Sequence, residues 1–368
     1  MSLLYSEVEE ELRAAVRDLL ADRCPPAVVL KRAESRPYDP DLWKTLAGEI
    51  GVAGLLVPEQ YGGAGASASE AAVVLEELGR GIAPVPFFTS SVLATYALVR
   101  ADAGELLERL ADGRSTAALA VSFAASPYLP ERGASVRVSD DGTLSGAVTG
   151  VAGADVADVL LVPAGGGLYL VEGAEVRATT SFDLTRPVST VTLDGAAATR
   201  VGDVDLADVL RFGAGLLASE QYGVAQWCLD TTLAYVKERH QFARPVGSFQ
   251  AIKHRLADLW LDVVRARAAA RNAVAEGSPT AVAVAQAWNA GVAVRAAEEA
   301  VQLHGGIGMT WEHPLHLYLK RAKSAEVALG TPGDHREALA SLAGVPGPAG
   351  SPGAELAGPS GAELAGSS

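Results

Sequence analysis

The chain has 368 residues, 49% of them hydrophobic, and 30 basic against 44 acidic side chains give a formal net charge of −14. That length buries a large core in two or three domains, the composition excludes global disorder, and the acidic balance excludes a nucleic-acid partner, which needs clustered cations. Two cysteines, Cys24 and Cys228, cannot build a disulfide framework, and no apolar run reaches the ~18 residues of a membrane-spanning helix. The start turns acidic at once, without the basic-then-apolar order of a secretion signal, so a cytoplasmic location is expected.

Residues 1–115 read as an N-terminal α-helical domain. Val8, Leu12, Val16 and Leu19–Leu20 recur at helical spacing, and Asp39-Pro40-Asp41-Leu42-Trp43 looks like a capped helix start with Trp43 and Leu46 facing inward. The stretch at 55–67, LLVPEQYGGAGAS, breaks the pattern as a loop, and the run from Ala68 gives another helix ending near Gly79–Gly81 and Pro84. Residues 116–205 change to short β-rich runs (ALAVSF, ASVRVS, VADVLLVPA, LYLV, VSTVTLDG) parted by glycine turns. Strands without long helices between them predict an antiparallel barrel or sandwich. From 206 to 345 the chain is helical again, over about 206–240, 250–276, 279–303 and 313–328, which predicts a four-helix bundle. The remainder, 346–368, repeats Gly-Ala-Glu-Leu-Ala-Gly and has the composition of a flexible appendage, with docking through its two leucines as the other reading. The fold class is therefore α+β multi-domain.

Much chemistry is excluded. There is no P-loop, no dinucleotide fingerprint around Gly62, Gly63 and Gly65, no His-Glu-x-x-His and no nucleophile elbow. His313 and His316 have the spacing of metal ligands on one helix face but lack a third ligand nearby.

Two longer stretches are more specific: YVKERHQFARPVGSFQAIKHRLADL at 235–259 and AVQLHGGIGMTWEHPLHLYLKRAK at 300–323. With VPEQYGGAG, LEELGRGIAPVPF and FDLTRP (182–187), they make the chain resemble the acyl-CoA dehydrogenase family over about residues 5–345. The resemblance implies helical, β and four-helix domains assembled as a dimer of dimers. It also implies FAD, and oxidation of an acyl-CoA thioester by a glutamate base and the flavin, with an electron-transfer flavoprotein or similar acceptor. Carried over by position, Arg239 pairs with the FAD pyrophosphate, Gln241 and Phe242 lie along the same wall, and Phe249 and Gln250 flank the adenosine. Gln302 and the Gly305–Gly306 backbone allow close approach of the dinucleotide. Taken singly, Arg239 reads rather as a helix-end charge and Gly305–Gly306 as a helix stop; it is the two motifs in register that favour FAD contact.

The departures from the family are as informative. The region that should hold the flavin ring reads AVSFAASPYLPERGASV; its Thr-Glu-Pro and Gly-Ser-Asp are gone, Ser122 stands in for one hydroxyl, and no tryptophan occurs between Trp43 and Trp227. In register with the family's Arg-Asp-Ala-Lys and Gly-Thr, the catalytic glutamate falls on Leu329; the alternative base position used by a minority of members falls on Gly213. Glu220 and Glu326 are candidates for a relocated base, with a solvent-facing or structural role as the competing reading. No catalytic residue and no metal is assigned to this chain. The pattern resembles the non-catalytic subunit of actinobacterial α2β2 heterotetramers that act on steroid side-chain CoA esters in cholesterol or sterol breakdown. A homologous catalytic partner, FAD shared with it, and an acyl-CoA bound mainly by that partner are the expectations. An autonomous dehydrogenase and a flavin-free scaffold are the alternatives.

Overall fold

The computed structural model describes residues 3–33, 35, 38–133 and 135–345, so the repeat-bearing segment 346–368 lies outside the described residues. The N-terminal layer comprises α1 (Glu7–Arg23), α2 (Pro26–Ala33), α3 (Pro40–Gly48), α4 (Ala68–Gly81), α5 (Thr95–Arg100) and α6 (Gly104–Ala111). Local chemistry explains the starts. Ser6 with Glu9 and Ser67 with Glu70 form capping boxes, and the Asp39 carboxylate accepts from the Leu42 amide just ahead of Pro40. Trp43 and Leu46 are buried as expected, but Val8 is 65% exposed, so α1 packs only its second half, through Val16 and Leu20. A buried π-helical segment, Phe87–Ala94, was not foreseen; its apolar run carries no helical period.

The strands β1 (Ala117–Leu119), β2 (Val136–Val138), β3 (Leu144–Ala152), β4 (Val159–Ala164), β5 (Gly167–Val171), β6 (Glu175–Ala178), β7 (Val188–Ala196) and β8 (Ala198–Asp203) form two four-stranded sheets. One runs β1-β4-β5-β8, the other β2-β3-β7-β6. Pairing is antiparallel except between β1 and β4, which are parallel, a departure from a wholly antiparallel domain. Leu144, Val148, Val162, Val191 and Leu193 belong to a core of the β region, whereas Leu119, Val121, Leu161 and Leu168 join the core of the helices. The β region is thus packed against the helical layers rather than tethered to them.

The C-terminal layer holds α7 (Leu206–Glu238), α8 (Gln250–Glu276), α9 (Pro279–His304) and α10 (Leu315–Glu326). A further helix, α11 (Pro332–Leu342), was not anticipated, although Thr331 and Asp334 cap it and Pro332 opens it. The α7–α9 register fixes a parallel arrangement. Gln286 donates to the Ala214 carbonyl, Asn289 to the Ala218 carbonyl, and Tyr235 stacks on His304. α8 runs antiparallel to both, with Asn289 also donating to the Ala266 carbonyl and Arg255 paired with Glu299. α4 crosses α7 at glycines: a Cβ on Gly223 would lie 2.0 Å from the Glu76 carbonyl oxygen, and one on Gly79 would lie 2.3 Å from that of Glu220. Only residues without a side chain let these backbones touch.

Candidate functional site

The two positions where the family resemblance puts a base meet inside the protein. Gly213 lies in the third turn of α7, and a Cβ built there would stand 3.0 Å from Leu329 Cδ1 and 2.4 Å from Leu93 Cδ2. Leu329 is 0% exposed and its amide donates to the Phe123 carbonyl at 2.8 Å, which ties the α10–α11 turn to the segment that follows β1. Around them Thr89, Leu93, Val121, Phe123 and Leu329 leave a cavity of about 10 Å³, room for no more than one water. No carboxylate is among its lining residues. Leu329 adopts φ +53° and Gly330 φ +97°. His335 holds this turn: its Nε2 donates to the Leu329 carbonyl at 3.0 Å and its Nδ1 accepts from the Tyr128 hydroxyl at 2.9 Å. Burial pushes the His335 imidazole down to about 4.

Glu220 does not face this space as a free base. It is 1% exposed and bonded through both oxygens to Arg186, with Arg321 at 3.4 Å. Arg321 in turn donates to Asp183 at 2.5 Å and to the Thr185 hydroxyl at 2.6 Å, closing a buried network of two carboxylates and two guanidiniums. Burial alone would raise the Glu220 carboxyl, but Arg186 and then Arg321 outweigh it and hold it below the ordinary range. This favours the structural reading of Glu220. Arg186 also lies over the rings of Phe88 and Phe123, 5.2 and 5.5 Å from their centroids, sealing the interior from the side of the 181–187 loop. Glu326 is half-buried and pairs with Lys323 at 3.6 Å, again a structural contact.

The eight positions that the resemblance assigns to FAD sit elsewhere, on two segments at one end of the bundle. Arg239 closes α7 as its C-cap, followed by a two-residue hairpin, β9 (His240–Gln241) with β10 (Arg244–Pro245), and by Phe249 and Gln250 at the start of α8. Gln302, Gly305 and Gly306 lie at the end of α9. Parallel packing of α7 and α9 brings the segments to the same end. The side chains are presented outward: Arg239, Gln241, Gln250 and Gln302 are exposed, and Phe242 is 88% exposed. Phe242 and Ala243 both adopt positive φ, 54° and 59°, at a turn where asparagine and glycine are the unstrained choices. Phe249 packs edge-on to Phe242 at 6.2 Å and under the Arg244 guanidinium at 3.8 Å. A Cβ on Gly305 or Gly306 would meet nothing within 4 Å, so their backbone opens to free space.

The histidines noted for their spacing do not form a metal centre. His313 precedes α10 and packs on His304 at 4.9 Å, His316 packs on Trp311 at 4.6 Å, and among the described residues no group of three side chains could hold a metal ion. Ser122 is half-buried and lines a different cavity with Ser126, Arg132 and Asp334, of about 200 Å³. Sequence reasoning missed Phe123 and Leu93 as plugs of the interior, and Arg321 as a buried charge. Among the described residues no helix is long and apolar enough to cross a membrane.

Residues 6–111 match the family model of the acyl-CoA dehydrogenase N-terminal domain, and residues 206–342 that of the acyl-CoA dehydrogenase C-terminal domain. The sequence is 38% identical to acyl-CoA dehydrogenase IpdE2 of Mycolicibacterium smegmatis, over 92% of this chain and 98% of that protein. It is 36% identical to IpdE2 of Mycobacterium tuberculosis, over 91% and 96%. Among solved structures, a chain of the ChsE4-ChsE5 complex from Mycobacterium tuberculosis is similar at TM-score 0.82 and 31% identity, covering 94% of this chain and all of that one. A chain of a Tcur3481-Tcur3483 steroid ACAD variant follows at TM-score 0.81 and 28% identity, covering 92% and 98%.

Proposed function

Because the chain belongs to the acyl-CoA dehydrogenase family, we propose that it serves there as a non-catalytic subunit, completing the FAD site of a homologous catalytic chain. The observation that carries this reading is the contact between Leu329 and Gly213. Both positions at which the family keeps its proton acceptor are apolar here, and they close on each other. A general base must reach the substrate carbon with a group able to take a proton, and neither residue has one.

The fit to FAD divides between the two ends of the cofactor. At the bundle end, Arg239 offers a guanidinium for a pyrophosphate, Gln241 and Gln302 offer amides, and Gly305–Gly306 present open backbone. The positive φ of the solvent-exposed Phe242 supports a binding role, since sparsely populated backbone conformations cluster at ligand-binding turns. The interior beside Leu329, about 10 Å³, does not fit the ring. Phe123, Leu93 and Leu329 fill it, and Arg186 covers it. We therefore assign the adenosine diphosphate half to this chain's surface and the flavin to the partner. FAD bound there would supply the acceptor for the hydride removed from the acyl chain.

The two heteromeric neighbours support a homologous partner, and we propose an α2β2 assembly with it. The steroid ACAD neighbour supports a steroid substrate; a side-chain CoA ester bound mainly by the partner, an electron-transfer flavoprotein or similar acceptor and a cytoplasmic setting belong to the same proposal. Arg239→Ala in the complex tests the assignment. Losing charge-assisted hydrogen bonds costs about 1.5–3 kcal/mol, so FAD should bind roughly tenfold to a hundredfold more weakly. Unchanged FAD content would contradict the shared site and leave a flavin-free scaffold.

A further inference from the structure

The proposed FAD contacts stand on two segments that are remote in sequence, the α7–α8 turn and the end of α9, and something must fix their spacing. Tyr235, one turn before Arg239, stacks on His304, the residue before Gly305, with ring centroids 4.3 Å apart and an interplanar angle of 19°. His304 is buried, and its Nδ1 donates to the Ala300 carbonyl at 2.7 Å, which fixes the ring against its own helix. The turn after it folds back tightly: a Cβ on Gly308 would lie 2.9 Å from the His304 Cβ and 2.6 Å from the Val301 carbonyl oxygen. From a further segment, His313 packs on the same ring at 4.9 Å and accepts from the Leu315 amide. One imidazole thus touches α7 and the entry to α10.

We infer that Tyr235 and His304 are positioning residues for the shared dinucleotide site, a stacked pair that sets the distance between Arg239 and the Gly305–Gly306 backbone. This rests on the shared-site reading above. Neither side chain needs to touch FAD. They act by holding two contact segments in one geometry, and misplacing such groups by about 1 Å weakens binding sharply. Arg255 and Glu299, 2.7 Å apart, brace α8 against α9 nearby but on the exposed surface, where an ion pair contributes little. The aromatic stack is therefore the stiffer of the two links.

The test uses the complex of this chain with its catalytic partner, titrated with FAD after flavin removal. Tyr235→Leu keeps apolar bulk and loses the stack; by the usual worth of an aromatic pair it should raise the Kd for FAD about threefold to tenfold. Turnover at saturating FAD should stay at the parent value. Tyr235→Phe, which stacks equally well, should restore parent affinity, a rescue that loss of the hydroxyl alone would not allow. His304→Gln, which keeps a donor for Ala300 but no ring, should reproduce Tyr235→Leu and covers the case in which that variant does not fold. Parent FAD affinity in a folded Tyr235→Leu or His304→Gln complex would overturn the inference, provided Arg239→Ala weakens binding. If Arg239→Ala also leaves it unchanged, the shared-site reading itself has failed.

Discussion

Replacing Glu220 by Gln removes the carboxylate that two buried guanidiniums share and leaves Asp183 to balance both Arg186 and Arg321. Breaking a buried ion pair by deleting one partner costs about 3–5 kcal/mol, because the remaining charge stays desolvated. Arg321 is 1% exposed and retains Asp183, whereas the Arg186 side chain is 11% exposed and can recruit some water. That places the expected loss near the lower end, about 3 kcal/mol. Urea denaturation of the purified chain should show a lowered midpoint at an unchanged slope. The gap should be widest near neutral pH. A carboxyl held below its ordinary range stabilises the fold above that range, and the contribution fades as pH falls through it. If Glu220 were instead a catalytic base, Glu220→Gln would abolish acyl-CoA oxidation by the chain alone while leaving its stability near that of the parent. A variant within about 0.5 kcal/mol of the parent would refute the structural role.

Three other outcomes follow from the same contacts. Leu329→Glu should not create acyl-CoA oxidation in the chain alone; it should lower stability by several kcal/mol, and more at pH 8 than at pH 5, since a carboxyl buried against Leu93 and Gly213 resists ionisation. Its urea midpoints at the two pH values decide this, and equal midpoints would count against it. Gly223→Ala should destabilise by about 2–3 kcal/mol despite the better helix propensity of alanine, because its Cβ meets the Glu76 carbonyl, a backbone atom that cannot step aside. His335, whose imidazole is depressed to about 4, contributes stability that is fully present above about 6.5, its ordinary value, and is lost as pH falls toward 4. The full contribution is roughly 3 kcal/mol, and His335→Gln should flatten the stability profile across that window.

Much of this architecture is legible in the sequence because local chemistry and tertiary packing agree. Asp39-Pro40 starts a helix that buries Trp43, and the three long periodic runs become α7, α8 and α9 within two residues at each end. What escaped lacks a local signature. The π-helical segment is apolar on every face, and β6 and β8 are largely exposed and carry no buried stripe. β3 is interrupted by Gly146 and Gly150 at positive φ, with two register shifts. α11 is short and follows a turn whose strain is borne by Leu329 and Gly330. At the site, the absence of a carboxylate at 329 and 213 is readable from register, but their mutual contact arises only when α7 meets the α10–α11 turn. Arg321 looks like a surface cation until Asp183 and Glu220 arrive from two other parts of the chain. The same holds for Tyr235 and His304, whose pairing requires α7 and α9 to run parallel.

The central claim is divided labour between two chains, and flavin spectroscopy tests it most directly. The chain would be purified alone and again after co-expression with a homologous chain carrying Glu at the position of Leu329 or Gly213. Each preparation would then be mixed anaerobically with a steroid side-chain CoA thioester. The account predicts a colourless, unreactive preparation alone, and a yellow complex whose flavin absorbance bleaches on mixing. A yellow homo-oligomer of this chain that bleaches without a partner would contradict it.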